Sequence, residues 1–127
     1  MLKFYLEKNL AFKDKILIEL IFGCIDINLS TGNKKIISLN EAEMNLFKYQ
    51  AKKFYYDNYD IFYYTYEMGG LHIVWIENTE TLMNKARLID KYNYKGIFIR
   101  DTPLALEGNW EAIHYIKKTF KGNIKNV

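Results

Sequence analysis

Cysteine, proline and long apolar runs are all scarce in this chain, and each scarcity closes a class of structure. With Cys24 as its single cysteine, the chain forms no intrachain disulfide and no zinc site of paired cysteines, and a reducing, cytoplasmic setting is favoured. Pro103 is the single proline, and no Gly/Ser-rich or proline-rich stretch separates two halves, so residues 1–127 read as one domain. The longest apolar run, residues 16–24, is broken by Glu19 and falls short of the roughly 20 apolar residues of a membrane span. Glu7, Asp14 and Glu19 interrupt what would be the basic and apolar parts of a signal peptide, so no export signal is expected. Lys and Arg number 18 against 15 Asp and Glu, and a net charge of +3, evenly spread, is too weak for a nucleic-acid footprint. Glycine-rich phosphate loops, Walker sequences and nucleophile elbows are absent. At 127 residues the chain is also too short for a complete eight-stranded βα barrel, which takes about 250 residues.

What remains is a core-forming sequence, 50% hydrophobic and 17% aromatic. Leu2, Leu6 and Leu10 predict a helix that ends between Phe12 and Asp14. Residues 15–23 are apolar almost throughout, the pattern of a strand buried on both faces. After a polar turn at residues 30–33, residues 34–37 read as a short strand, and Ser38-Leu39-Asn40-Glu41 spells a capping box. The helix it opens has Leu39, Ala42, Leu46, Phe47, Ala51 and Phe54 at helical spacing. Residues 60–67 and 71–77 form a β-hairpin through Met68-Gly69-Gly70, where glycine supplies the positive φ of a tight turn. Asn78 or Thr79 caps a helix whose buried stripe is Leu82, Met83, Ala86, Ile89 and Tyr92. That helix lets residues 96–100 lie parallel to residues 15–23 through a crossover. Residues 109–121 read as a closing helix, with Trp110, Ile113, Ile116 and Phe120 periodic and both Trp75 and Trp110 expected to be structural.

Phe54, Tyr55, Tyr56, Tyr59, Phe62, Tyr63, Tyr64 and Tyr66 form a dense aromatic segment. Its interleaved charges are Asp57, Asp60 and Glu67, which disfavours nucleic acid and leaves two readings: packing of the hairpin on helices, or a platform for sugar rings. Glu19 is the oddity of its strand, since a carboxylate there needs a cleft, a cation or a rim position. His72 and His114 have no ligand-spaced partners, so no metal is expected. Cys24 reads as a small core residue rather than a nucleophile.

From Leu71 on, the text becomes specific. Leu71-His72-Ile73-Val74-Trp75-Ile76-Glu77-Asn78, then Leu82, Lys85 and Ala86, then Tyr92-Asn93-Tyr94-Lys95-Gly96-Ile97, and finally Gly108-Asn109-Trp110 follow one another in order. This series resembles the C-terminal end of family 18 glycoside hydrolases, particularly the spore and cell-wall N-acetylglucosaminidase branch. Asp14-Lys15-Ile16-Leu17 and the apolar run after it resemble that family's seventh barrel strand, and residues 34–77 its small α+β insertion.

The resemblance implies an α/β fold made of partial (β/α) barrel-like C-terminal units carrying an α+β insertion with an antiparallel hairpin; the alternative is an independent α+β sandwich. The chain departs from the family where catalysis is concerned. The family's acid lies in an Asp-x-x-Asp-x-Asp-x-Glu run, of which Asp57 and Asp60 match only the first two positions, in the wrong element. Arg100 stands where the family's last strand ends in a Trp, Phe22-Gly23 replaces Tyr-Gly, and Glu77-Asn78 replaces Glu-Asp. Retaining hydrolysis needs a positioned acid to protonate the leaving oxygen. The expectation is therefore a non-catalytic family-18-like module of glycan or cell-wall context, or one part of a split hydrolase, with a protein-interaction module as the alternative. A glycan containing N-acetylglucosamine would meet Tyr63, Tyr64, Tyr66, Glu19, Arg100 and Asp101. No cofactor, metal, nucleic acid or membrane partner is expected, and self-association or a partner chain is.

Overall fold

A computed structural model describes residues 1–99 and 110–126. Arg100, Asp101, Gly108 and Asn109 of the sequence reading lie outside the described residues. Two sheets organise the chain, a three-stranded one in the order β1 (Leu17–Leu20), β7 (Gly96–Ile99), β8 (Asn123–Asn126) and a five-stranded one in the order β3 (Lys34–Ile37), β2 (Cys24–Asn28), β6 (Leu71–Ile76), β5 (Ile61–Glu67), β4 (Phe54–Tyr56). Together with the helices they make a mixed α/β fold. No described helix is long and apolar enough to cross a membrane.

The three-stranded sheet is parallel: β1 (Leu17–Leu20) pairs with β7 (Gly96–Ile99), and β7 with β8 (Asn123–Asn126). Helix α1 (Leu2–Lys8), helix α3 (Thr79–Lys91) and helix α4 (Trp110–Thr119) accompany it. Strand β1 alternates, with Ile18 and Leu20 in the core and Leu17 and Glu19 exposed, so the two-faced burial expected of residues 15–23 is corrected to a shorter strand with one face buried. Ile18, Leu20, Ile97 and Ile99 meet Leu6, Leu82, Ile89, Ile113 and Ile116 in one hydrophobic cluster. Each such fully buried aliphatic side chain contributes about 1.5–3 kcal/mol. Tyr94 joins the cluster and donates its hydroxyl to the Leu6 carbonyl oxygen at 2.8 Å, tying α1 to the entry of β7.

The second sheet is antiparallel: β2 (Cys24–Asn28), β3 (Lys34–Ile37), β4 (Phe54–Tyr56), β5 (Ile61–Glu67) and β6 (Leu71–Ile76). It begins at Cys24, so the α+β segment is longer than the expected 34–77 at its start. Helix α2 (Leu39–Lys48) covers one face, where Ala42 meets Cys24, Ile37, Tyr64, Val74 and Ile76. The Ser38 hydroxyl accepts from the Glu41 amide at 3.0 Å, as the capping spelling implies. Helix α2 stops at Lys48 rather than running through Phe54, and Phe47, expected on its buried stripe, is 88% exposed. Asn78 and Thr81 form a reciprocal capping box that starts α3 directly after β6. Two further expectations are corrected: α1 ends at Lys8, with a short 3₁₀ turn at Leu10–Phe12, and Trp110 is 56% exposed.

Candidate functional site

Strand alternation divides the aromatic segment between two faces. Residues Tyr64 and Tyr66 point toward α2. Tyr64 is fully buried and donates its hydroxyl to the Ala42 carbonyl oxygen at 2.8 Å, so burial pushes its ionisation upward and no sugar ring reaches it. Tyr66 is half-buried, stacks on Tyr49 at 4.4 Å and on His72 at 4.5 Å, and donates to Asp26 Oδ2 at 2.5 Å.

Tyr63 lies on the opposite face, in a row that crosses the whole sheet. Phe54, Tyr63, Trp75, Ile25 and Ile36 are successive cross-strand partners from β4 to β3, and none of them is fully buried. Within the row, the rings of Phe54 and Tyr63 are 5.5 Å apart and those of Tyr63 and Trp75 are 5.2 Å apart. Tyr56 extends the aromatic surface, 6.1 Å from Trp75 and 5.3 Å from Tyr59.

This surface runs into a cleft of about 590 Å³ where it meets the carboxyl end of β1. Such a volume fits a small-molecule or sugar-sized ligand, for which roughly 300–1,000 Å³ is usual. Trp75, Tyr56, Tyr59 and Ile25 form one wall and Leu20 and Ile21 another, with Glu19 also lining the cleft. The aromatic rings therefore stand beside a carboxylate, an arrangement suited to a ring that is apolar on its face and hydroxylated at its edge.

Glu77 and Lys85 also line the cleft. The two are paired at 2.7 Å, and Glu77 Oε2 also accepts from the Thr81 hydroxyl at 2.6 Å. Lys85 Nζ donates in addition to the Asp60 carbonyl oxygen at 2.7 Å, which anchors the turn carrying Tyr59. Burial pushes the Glu77 carboxyl above its ordinary value, and the Lys85 ammonium pulls it back only in part. With both oxygens engaged, Glu77 holds the wall of the cleft in place and is not presented as a proton donor to a ligand. Cys24 is buried, with its thiol pushed up to about 12 by desolvation, which removes it from nucleophilic chemistry. Among the described residues no group of His, Cys, Asp and Glu could hold a metal ion.

Of the six residues expected to touch a glycan, the structure brings Tyr63, through Trp75, and Glu19 to this surface and cleft, and turns Tyr64 and Tyr66 away. Arg100 and Asp101 lie outside the described residues. Trp75 was the missed contributor. Its signal was the period of two in β6, which puts Trp75 on the face opposite Val74 and Ile76.

No family model matches the sequence, and no curated protein matches it by sequence comparison. Solved structures do match the fold. The spore cortex-lytic enzyme SleL of Bacillus megaterium is similar at a TM-score of 0.76 and 21% identity, over 96% of this chain and 30% of that one. SleL of Bacillus cereus is similar at a TM-score of 0.76 and 20% identity, over 98% of this chain and 29% of that one. A chitinase from Chromobacterium violaceum is similar at a TM-score of 0.67 and 19% identity, over 81% of this chain and 33% of that one. The resemblance to family 18 glycoside hydrolases is thus one of fold: this chain is a partial, family-18-like α/β structure that spans about a third of the length of the enzymes it matches.

Proposed function

We propose that this chain is a non-catalytic module of glycan or cell-wall context, whose aromatic cleft takes a glycan containing N-acetylglucosamine. The observation that carries the reading is the continuous surface of Phe54, Tyr63 and Trp75 leading into a cleft walled by Tyr56 and Tyr59. Flat aromatic faces stack on the apolar face of a pyranose ring, and Glu19 offers an acceptor for its hydroxyls. The similarity of fold to a spore cortex-lytic enzyme and a chitinase supports the same class of ligand. The sequence has no Asp-x-x-Asp-x-Asp-x-Glu run, and Glu77 is tied to Lys85 and Thr81, which supports the non-catalytic reading.

A second reading, in which the chain is one part of a split hydrolase, is supported by the match to about 30% of SleL and by the exposure of Leu17 and Glu19 on one face of the parallel sheet among the described residues. In that case this chain supplies the cleft, and another polypeptide supplies the acid.

Titrating chitin oligomers and peptidoglycan fragments into the chain by NMR tests the proposal. Shifts are expected at the Trp75 indole and at Tyr56, Tyr59 and Tyr63, and Trp75→Ala should abolish them while leaving the remaining spectrum folded. A chromogenic chito-oligosaccharide should not be turned over. Shifts confined to other surfaces, or none at millimolar ligand, would replace the glycan reading with a protein-interaction module.

A further inference from the structure

On the helix-covered face of the five-stranded sheet, away from the aromatic cleft, β2, β5, β6 and the end of α2 meet in a second polar cluster. His72 lies at its centre. Its Nδ1 is 2.8 Å from Asp26 Oδ1, and its Nε2 is 2.8 Å from the Met68 carbonyl oxygen. A carboxylate and a carbonyl can only accept hydrogen bonds. Both ring nitrogens must therefore donate, and only the imidazolium does so. Tyr66 completes the arrangement by stacking on the His72 ring at 4.5 Å and donating to the other Asp26 oxygen at 2.5 Å.

We infer that the Asp26, His72 and Tyr66 cluster is a proton-dependent latch that fastens the Met68–Gly70 tip of the β5–β6 hairpin to the sheet. The inference does not rest on the glycan reading, since none of these residues lines the cleft. When the proton leaves, the carboxylate retains the remaining one on Nδ1, because a charge-assisted bond is the stronger. The Nε2 lone pair then faces the Met68 oxygen, and an attraction becomes a repulsion. The tip keeps weaker ties, Asn28 Nδ2 to the Gly69 oxygen at 3.3 Å and the Tyr49 hydroxyl to Met68 Sδ at 2.8 Å. Gly69 and Gly70, at φ of 63° and 123°, give it the freedom to move.

The charges around His72 favour the bound proton from several sides. The hydrogen bond to Asp26 of β2 raises the His72 titration above its ordinary value more than burial lowers it, and the Met68 carbonyl and the charges of Asp26 and of Glu67 on β5 add to the rise. Lys35, the cross-strand partner of Asp26 on β3, and Lys48, over the Tyr49 ring, are the positive groups nearby. Tyr49, Tyr64 and Tyr66 are titratable neighbours, and Tyr66 is held in its protonated form by burial and by the Asp26 carboxylate, with Glu41 of α2 acting in the same direction. The direction follows: the latch is fully closed below the ordinary histidine value of 6.5 and opens as pH rises through the higher value of the folded chain.

The test is an NMR pH titration of the full chain, reading the His72 ring and the amide exchange of Met68 and Gly70 corrected for intrinsic rates. The His72 midpoint is expected above 6.5, with protection of the tip amides lost over the same pH range. In Asp26→Asn the midpoint should fall and the pH dependence of tip protection should disappear. Tyr66→Phe, which keeps the stack but removes one donor to Asp26, should fold and retain the latch. A His72 midpoint at or below 6.5, or tip protection that follows pH identically in wild type and Asp26→Asn, would overturn the inference; if Asp26→Asn does not fold, the wild-type and Tyr66→Phe titrations decide it alone.

Discussion

Tyr63 and Tyr64 are neighbours in sequence and opposites in role, because one peptide step along a strand moves a side chain to the other face of the sheet. The two tryptophans differ by element: Trp75 lies on strand β6 and Trp110 on helix α4. Trp75 is half-buried within an aromatic row, whereas Trp110, at the start of α4, is 56% exposed. Trp110→Ala should therefore cost about 0.5 kcal/mol, and Trp75→Ala about 1–3 kcal/mol, both short of a fully buried aromatic. Urea unfolding of the two variants checks the order, and a Trp110→Ala loss equal to that of Trp75→Ala would contradict it. At Glu77 the prediction concerns pH. Its folded-state value lies above the ordinary 4.5, so its contribution to stability is complete below 4.5 and is lost as pH rises through the raised value. Glu77→Gln should remove that component, making the variant's stability less dependent on pH across the same interval. Lys85→Met, which strands a buried carboxylate, should cost more than the Glu77→Gln, Lys85→Met double variant.

Helix ends show at the scale of elements what the residues disclosed and what they hid. Helix α3 closes with Asn93 at φ 60° and a bond from the Tyr94 amide to the Ile89 carbonyl oxygen, a left-handed stop that asparagine tolerates well and that a reader of the sequence can place. Helix α2 closes in the same way, with Gln50 at φ 50° and the Ala51 amide on the Leu46 oxygen. Glutamine carries no such signal, and Phe54 happens to continue the helical period, so β4 was hidden inside an apparent helix. Strand β2 was hidden by the polar Asp26 and Asn28 within it, and β8 by its shortness and its polar Asn123 and Lys125. The hairpin, the capped start of α3 and the parallel pairing of β1 with β7 were legible because glycine, asparagine and aliphatic runs each have one dominant local meaning. Of the site, the aromatic density was legible, but its division between faces depended on a register that sequence leaves open. At Gly122 a Cβ would lie 2.5 Å from the Lys95 carbonyl oxygen, against backbone that cannot yield, at the entry to β8. Gly122→Ala should cost about 1–3 kcal/mol. At Gly96 the obstacle is the end of the Leu17 side chain, which is partly exposed and can rotate, so Gly96→Ala should be milder in the same unfolding measurement.

For the whole molecule, the decisive feature is the three-stranded parallel sheet. Parallel sheets are ordinarily covered on both faces, yet here Leu17 and Glu19 of β1 are exposed on the face opposite the helices. The β5–β6 hairpin belongs to the other sheet, and β8 is the strand that flanks β7. Among the described residues, β1 has no strand on its outer side. Strand edges of this kind recruit other chains unless charged or bulged, and β1 offers a single charge, Glu19, between aliphatic residues. Met1, Phe4, Leu10, Phe12, Leu17 and Ile21 are exposed along the same end of the chain. Covering such apolar area yields about 25 cal/mol per Å², so the expected outcome is association of the chain with itself or with a partner through the β1 side. Sedimentation at micromolar concentration checks this, with Leu17→Lys and Ile21→Lys expected to shift the chain toward monomer without loss of its helical signal. A clean, cooperatively melting wild-type monomer would mean that three parallel strands suffice unaided, and the chain would then be an independent α+β domain rather than a piece of a larger barrel.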